Sequence, residues 1–215
     1  MFSRPHHQRI AKVLESLDAD LLKQHNCLFA GGTAIALRYG EYRESVDMDF
    51  LVSDLASYRY LRNLIREQGL QALMRGAGVE LQTTDIRSDQ YGVRTKVFVQ
   101  GKPIKFEIVL EGRIGLAKPG KKDSILGVAT LTKVDMAASK LLANSDRGLD
   151  MGVHCRDVID LAMINLSKTE FAEATAKTEV AYGEAILKDL SKVIDMLGEA
   201  NGLLERCMKT MDVSV

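Results

Sequence analysis

The chain has 215 residues, 46% of them hydrophobic and 27% charged, with Lys+Arg and Asp+Glu balanced at 29 each. That length supports a real core in one large domain or two small ones. The balance of charge argues against a protein that wraps nucleic acid nonspecifically, so any nucleic acid contact must come from a local basic patch. A low aromatic share and the absence of Trp argue against a dedicated single-strand binder.

Three cysteines, Cys27, Cys155 and Cys207, fit neither a disulfide framework nor zinc-ligand spacing and read as reduced thiols. Met1 to Arg9 has no apolar run of the signal-peptide kind, and no stretch reaches the length of a membrane span. A cytoplasmic protein without a membrane partner is expected.

In chain order, Ile10, Val13, Leu14, Leu17, Leu21 and Leu22 recur at helical spacing and predict one helix over 6–25. Cys27 to Ala30 reads as a buried strand ending at the Gly31-Gly32 turn. Thr33 is then placed as the cap of a short helix from Ala34 to Tyr39. Val46 to Val52 alternates as a strand, and Asp54 caps a helix over about 55–68.

Strands are expected over Val79–Ile86, Gly92–Gln100 and Ile104–Leu110, the last two joined by a turn at Gln100 to Pro103, with a short strand near Ile125 to Ala129. From Leu131 the pattern is helical, with one face carrying Val134, Ala137, Ala138, Leu141 and Leu142. Glu170 to Met211 divides into two or three helices with a break near Gly198 or Gly202. The division is an α/β half, 1–130, and a helical half, 131–215.

In the strand Asp47-Met48-Asp49-Phe50, alternation puts Asp47 and Asp49 on one face. Two carboxylates side by side in a partly buried cleft repel, and a hard divalent cation with oxygen ligands relieves that repulsion. An isolated pair of this kind is more often a solvated strand edge. Glu107 alternates with Phe106 and Ile108 on a second strand and joins the aspartates if the two strands are neighbours. Three carboxylates can hold Mg²⁺ or Mn²⁺ against a triphosphate and activate an attacking hydroxyl.

Gly31 and Gly32, between a strand and a helix, allow close approach of the backbone to an anion, although no Walker sequence follows. Lys133, Lys140 and Arg147 are seven residues apart and form a basic stripe if one helix holds all three. Arg156 and Asp160 are spaced for an ion pair along a helix. His6 and His7, near the start of the sequence, read as solvated. His25 and His154 lack ligand partners at metal spacing.

The segment FAGGTAIALRYGEYRESVDMDFLV, residues 29–52, resembles the nucleotidyltransferase AbiEii/AbiGii toxin family of the DNA polymerase β-like nucleotidyltransferase superfamily. The family's Gly-Gly-Thr-Ala matches Gly31 to Ala34, and its Arg-x-Ser-x-Asp-x-Asp-Phe matches Arg43 to Phe50. Its second block looks like Lys140, Arg147 and Arg156 to Leu161.

The resemblance implies an α+β fold, a nucleotidyltransferase-type mixed sheet with flanking helices followed by a C-terminal helical bundle. It implies metal ligation by Asp47 and Asp49, and a triphosphate site at Gly31, Gly32, Thr33 and Ser45 together with Arg43 of the same motif. Lys140, Arg147 and Asp157 become active-site residues of the second block, with Asp157 positioning Lys140 or Arg147. Nucleotide transfer from an NTP is implied, with tRNA or another RNA as acceptor in some members and a cognate antitoxin as partner. The sequence departs from the family in offering Glu107 where the third carboxylate is often Asp, and in being shorter than many of its toxins. Two rival readings stand beside it: a catalytically silent binding module of the same fold, and an enzyme that nucleotidylates a small molecule or a protein.

Overall fold

The computed structural model describes residues 2–75, 82–153, 155–200 and 202–214. The predicted first helix is two, α1 (Pro5–Ser16) and α2 (Ala19–Gln24). Leu17 is extended, and the Asp18 amide donates to the carbonyl of Leu73 at 2.7 Å, so a tertiary contact breaks the run. The Asp18 carboxylate then accepts the Leu21 N–H and caps α2.

Strand β1 (Leu28–Ala30) runs directly into α3 (Gly31–Arg38). The helix therefore begins at Gly31, and the expected cap, Thr33, lies inside its first turn. Strand β2 (Met48–Val52) starts one residue after Asp47, and Asp54 caps α4 (Leu55–Gln68) as expected. Part of the predicted strand over 79–86 lies outside the described residues. Its described part holds only β3 (Gln82–Thr83), and β4 (Arg87–Ser88) follows it.

Strands β5 (Gly92–Val99) and β6 (Lys102–Leu110) form a hairpin whose loop is Gln100-Gly101. Both loop residues have positive φ, at 53° and 72°, the twist that suits a two-residue hairpin. A small hairpin, β7 (Ser124–Ile125) and β8 (Val128–Ala129), replaces the single strand expected there. The helices α5 (Lys133–Arg147), α6 (Arg156–Ile164), α7 (Lys168–Tyr182), α8 (Ala185–Glu199) and α9 (Leu203–Thr210) follow.

The main sheet has the order β1-β2-β6-β5-β3, with β4 also on β5. It is mixed: β1 and β5 are antiparallel to their neighbours, whereas β2 and β6 run parallel. On one face Phe29, Phe50 and Phe106 are fully buried and lie in a row with their rings tilted to one another, centroids 5.3 and 5.2 Å apart. Each such ring contributes about 1.5–3 kcal/mol by burial. Strand alternation then obliges Asp49 and Glu107 to share the opposite face. The parallel register places them directly side by side, Asp49 against Glu107.

Candidate active site

A cleft of about 420 Å³ opens on this carboxylate face. Asp47, Asp49, Lys105 and Glu107 line it from the sheet side, and Gly31 and Gly32 from the start of α3. Lys140 and Arg147 of α5 and Arg156 of α6 face them, and Thr210 to Asp212 close one end. The sheet and the helical half thus both supply walls.

Asp49 has no cation within ion-pair distance among the described residues, and burial raises its pKa to about 6, aided by the charges of Asp47 and Glu107. Glu107 is engaged: Lys105 Nζ lies 2.8 Å from one oxygen and Arg94 Nε 3.2 Å from the other. Among the described residues no three His, Cys, Asp or Glu side chains are drawn into a ready metal cage. The donor set at Asp47 and Asp49 nevertheless suits a hard divalent cation, because two carboxylates crowd together with no bound positive charge between them.

The two glycines owe their identity to packing. Gly31 has φ +73°, and a Cβ there would lie 2.4 Å from Asp49 Oδ2. A Cβ on Gly32 would lie 2.1 Å from an Arg43 guanidinium nitrogen. Thr33 does not line the cleft. It is buried, and its hydroxyl donates to the Asp47 carbonyl and is hydrogen-bonded with the Ser45 hydroxyl at 2.8 Å, fastening α3 to the loop before β2. Ser45 does line the cleft.

Behind the cleft lies a buried ionic chain. Asp160, fully buried, receives Arg43 Nε at 2.7 Å and its terminal nitrogen at 2.9 Å, Lys140 Nζ at 2.6 Å, and the Tyr42 hydroxyl. Lys140 also bonds Asp157 Oδ1 at 2.8 Å, and Arg147 grips Asp157 with two nitrogens at 2.8 and 3.0 Å. Burial alone would raise both aspartates; Lys140 with Arg147 lowers Asp157, and Lys140 with Arg43 lowers Asp160. Three cations share two carboxylates, which leaves positive charge facing Asp49.

The expected Arg156–Asp160 pair does not form. Asp160 turns inward to Arg43, Tyr42 and Lys140, and Arg156 Nε is buried without a hydrogen-bond partner. The basic stripe also divides. Lys140 and Arg147 reach the cleft, while Lys133 bonds the Asn165 carbonyl and Glu170, both at 2.9 Å, roughly 10 Å further along the helix axis.

His7 is not solvated; it is fully buried, with Nδ1 2.8 Å from Glu41 and Nε2 accepting the Ser45 N–H at 3.2 Å. Asp160, Tyr42, His7 and Arg94 were not singled out from the sequence as site residues. The partners of Asp160, Tyr42 and His7 lie far away along the chain, Arg43 and Asp160 being 117 positions apart and His7 and Glu41 34. Only Asp160, three residues after Asp157, carried a local signal, a second carboxylate on the same helical side.

The family described as "Nucleotidyl transferase AbiEii toxin, Type IV TA system" matches residues 12–206. The chain belongs to this family. The AbiEii match spans both walls of the cleft, and the chain is accordingly a nucleotidyltransferase of a toxin–antitoxin family.

Among solved structures it is similar to JHP933 from Helicobacter pylori, at 15% identity and a TM-score of 0.46, covering 98% of this chain and 96% of that one. It is also similar to MenT4, a nucleotidyltransferase toxin from Mycobacterium tuberculosis, at 17% identity and a TM-score of 0.37, covering 90% and 95%. No curated protein matches the sequence. Among the described residues no helix is long and apolar enough to cross a membrane.

Proposed function

We propose that this AbiEii-family chain transfers a nucleotide from an NTP to an acceptor hydroxyl with the help of Mg²⁺ or Mn²⁺, and that RNA is the acceptor class. The observation that carries this reading is Asp49, crowded by Asp47 and Glu107, free of any ion pair among the described residues, and facing cations of the helical half. A site built that way is electrostatically incomplete until a cation enters it.

Asp47 and Asp49 would hold the metal ion, with Glu107 beside them on the neighbouring strand. When bound, the metal supplies charge stabilisation to the triphosphate and lowers the pKa of the attacking hydroxyl. Gly31, Gly32 and Ser45 border the phosphate side. Lys140 and Arg147 offset the charge on the α-phosphate and the departing pyrophosphate. Asp157 holds those two cations in place and is a positioning residue. Asp160 does the same for Arg43 and Lys140. The α/β half, 1–130, supplies the metal ligands and the helical half, 131–215, supplies the cations. Thr33 acts from below, through Ser45 and Asp47. A cytoplasmic location with an antitoxin partner completes the reading.

The choice of RNA over a cationic small molecule follows from the lining: Arg43, Lys105, Lys140, Arg147 and Arg156 surround the carboxylates, which suits a polyanion. The test is incubation of the protein with each labelled NTP, Mg²⁺ and total RNA. Labelled RNA is expected from the wild type and not from Asp47→Ala. Equal labelling by the two proteins, or none by either with all four NTPs, would sink the enzymatic reading; the second outcome would favour the silent binding module.

A further inference from the structure

A second cleft, of about 810 Å³, lies at the carboxyl end of β6, between α4, the turn before β5 and the loop after Leu110. Its charge is one-sided. Arg59 is exposed and has no carboxylate partner among the described residues. Arg62 lies over the Tyr58 ring, 5.8 Å from its centroid, and reaches the Asp89 carbonyl at 3.4 Å; it has no carboxylate partner among the described residues, and its Nε is buried without a hydrogen-bond partner. The one carboxylate among the lining residues, Glu111, is already neutralised by Arg113 at 2.8 Å. Tyr91 lines the cleft with 64% of its surface exposed, which leaves much of the residue open to solvent.

The second cleft neighbours the first along β6. Val109, in its wall, shares a strand face with Glu107 in the carboxylate cleft and lies two residues on, about 7 Å away. Arg94 sits between the two, with Nε on Glu107 at 3.2 Å and a terminal nitrogen on Asp89 at 3.3 Å. A chain whose end rests at Asp49 would meet Arg94 next and then Tyr91 with Arg59 and Arg62.

We propose that this cleft binds the single-stranded segment of an RNA acceptor adjoining its reactive end, with Arg59 and Arg62 on phosphates and Tyr91 stacked on a base. The chemistry is the one such segments require: guanidinium groups not neutralised by carboxylates along a groove, and an aromatic face open to solvent. The proposal rests on the function proposed above, and it names where the acceptor lies.

The experiment is fluorescence anisotropy of a short labelled single-stranded oligoribonucleotide of mixed sequence, titrated with the full chain in the absence of NTP. Wild-type protein is expected to bind, more weakly as salt is raised. The double variant Arg59→Glu/Arg62→Glu is expected to bind roughly tenfold or more weakly. Tyr91→Ala should lose roughly five- to a hundredfold, the range for one base–aromatic stack.

The exposed single variant Arg59→Glu, checked by an unchanged thermal midpoint, guards against a fold defect in the double variant. Wild-type protein that fails to bind, as expected if the cleft instead takes an acidic protein, overturns the proposal. Undiminished binding by the Arg59→Glu and double variants also overturns it. Asp47→Ala separates the two readings: it should bind the oligonucleotide like wild type yet transfer nothing. If it transfers as well as wild type, the catalytic reading fails and the binding site stands.

Discussion

The backbone N–H of Ser45 donates to Nε2 of His7 at 3.2 Å, which leaves the imidazole proton on Nδ1, pointing at Glu41 2.8 Å away. His7 is therefore a neutral ring wedged under the loop that leads to Asp47. Burial lowers its pKa, and the Glu41 carboxylate only partly opposes this.

His7→Phe keeps the bulk of the ring and removes both hydrogen bonds. The Ser45 amide and the Glu41 carboxylate then lose a partner, at a cost of about 1–3 kcal/mol in urea denaturation. The pH sign is fixed by the neutral native ring. The unfolded chain takes up a proton below the ordinary 6.5 before the native one does, so His7 withdraws stability as pH falls through that value. The variant should lack that component of acid sensitivity. An unchanged midpoint in the variant at pH 7.5 and at pH 5.5 would show that the wedge is idle.

Asp160 and Asp157 should behave differently although both are almost fully buried. Asp160→Ala strands Arg43 and leaves Lys140 with a single carboxylate, so a loss of about 3–5 kcal/mol is expected. Asp157→Asn leaves Lys140 paired with Asp160, and Arg147 is 37% exposed and can turn to water, so the loss is smaller. Both carboxylates titrate below their ordinary value, so the stability they confer is complete above that value and disappears as pH falls beneath it. Chemical denaturation of the two variants at neutral pH ranks them; Asp157→Asn proving the more damaging would contradict the geometry.

Alanine at the glycines tests the junction of α3 with the carboxylates. Gly31→Ala places a methyl group against Asp49 in a backbone region that side chains disfavour, and Gly32→Ala pushes Arg43 off Asp160. Each should cost about 1–3 kcal/mol. Gly31→Ala should in addition weaken Mn²⁺ binding, measured by calorimetry, more than Gly32→Ala does. Equal metal affinity in both variants would separate Gly31 from the metal-binding role.

Much of this was legible in the sequence because it is periodic or local. Alternation in Val46–Val52 and Ile104–Leu110 put Phe50 and Phe106 on one face and Asp49 and Glu107 on the other, and the register then made neighbours of them. The Asp54 cap and a turn within Gln100 to Pro103 are likewise read from a few residues. What was illegible depends on distant partners. The break at Leu17 is made by Leu73, the burial of His7 by Glu41 and Ser45, and the fate of Asp160 by Arg43. The Arg156–Asp160 spacing was a fair local expectation that lost to a buried cationic pair. Thr33 was misread as a cap because Gly31, free to adopt positive φ, starts the helix two residues earlier.

Asp49 offers the sharpest test, because function and stability pull it in opposite directions. Its native pKa is raised to about 6 from 3.8 by burial and by the neighbouring carboxylates Asp47 and Glu107. The unfolded chain gives up this proton first as pH rises, so ionised Asp49 costs stability progressively between those values and in full above about 6. Asp49→Asn removes the charge and nearly preserves the shape. At pH 8 with a chelator present, the variant should be more stable than wild type by an amount on the order of 2 kcal/mol, and near pH 4 the difference should vanish. Excess Mg²⁺ should stabilise the wild type and not the variant, since binding to the native state alone shifts the equilibrium. Nucleotide transfer should be lost in the same protein that gained stability. A variant less stable than wild type at pH 8 would mean that Asp49 is already satisfied within the fold, and the case for a cation between Asp47 and Asp49 would go with it.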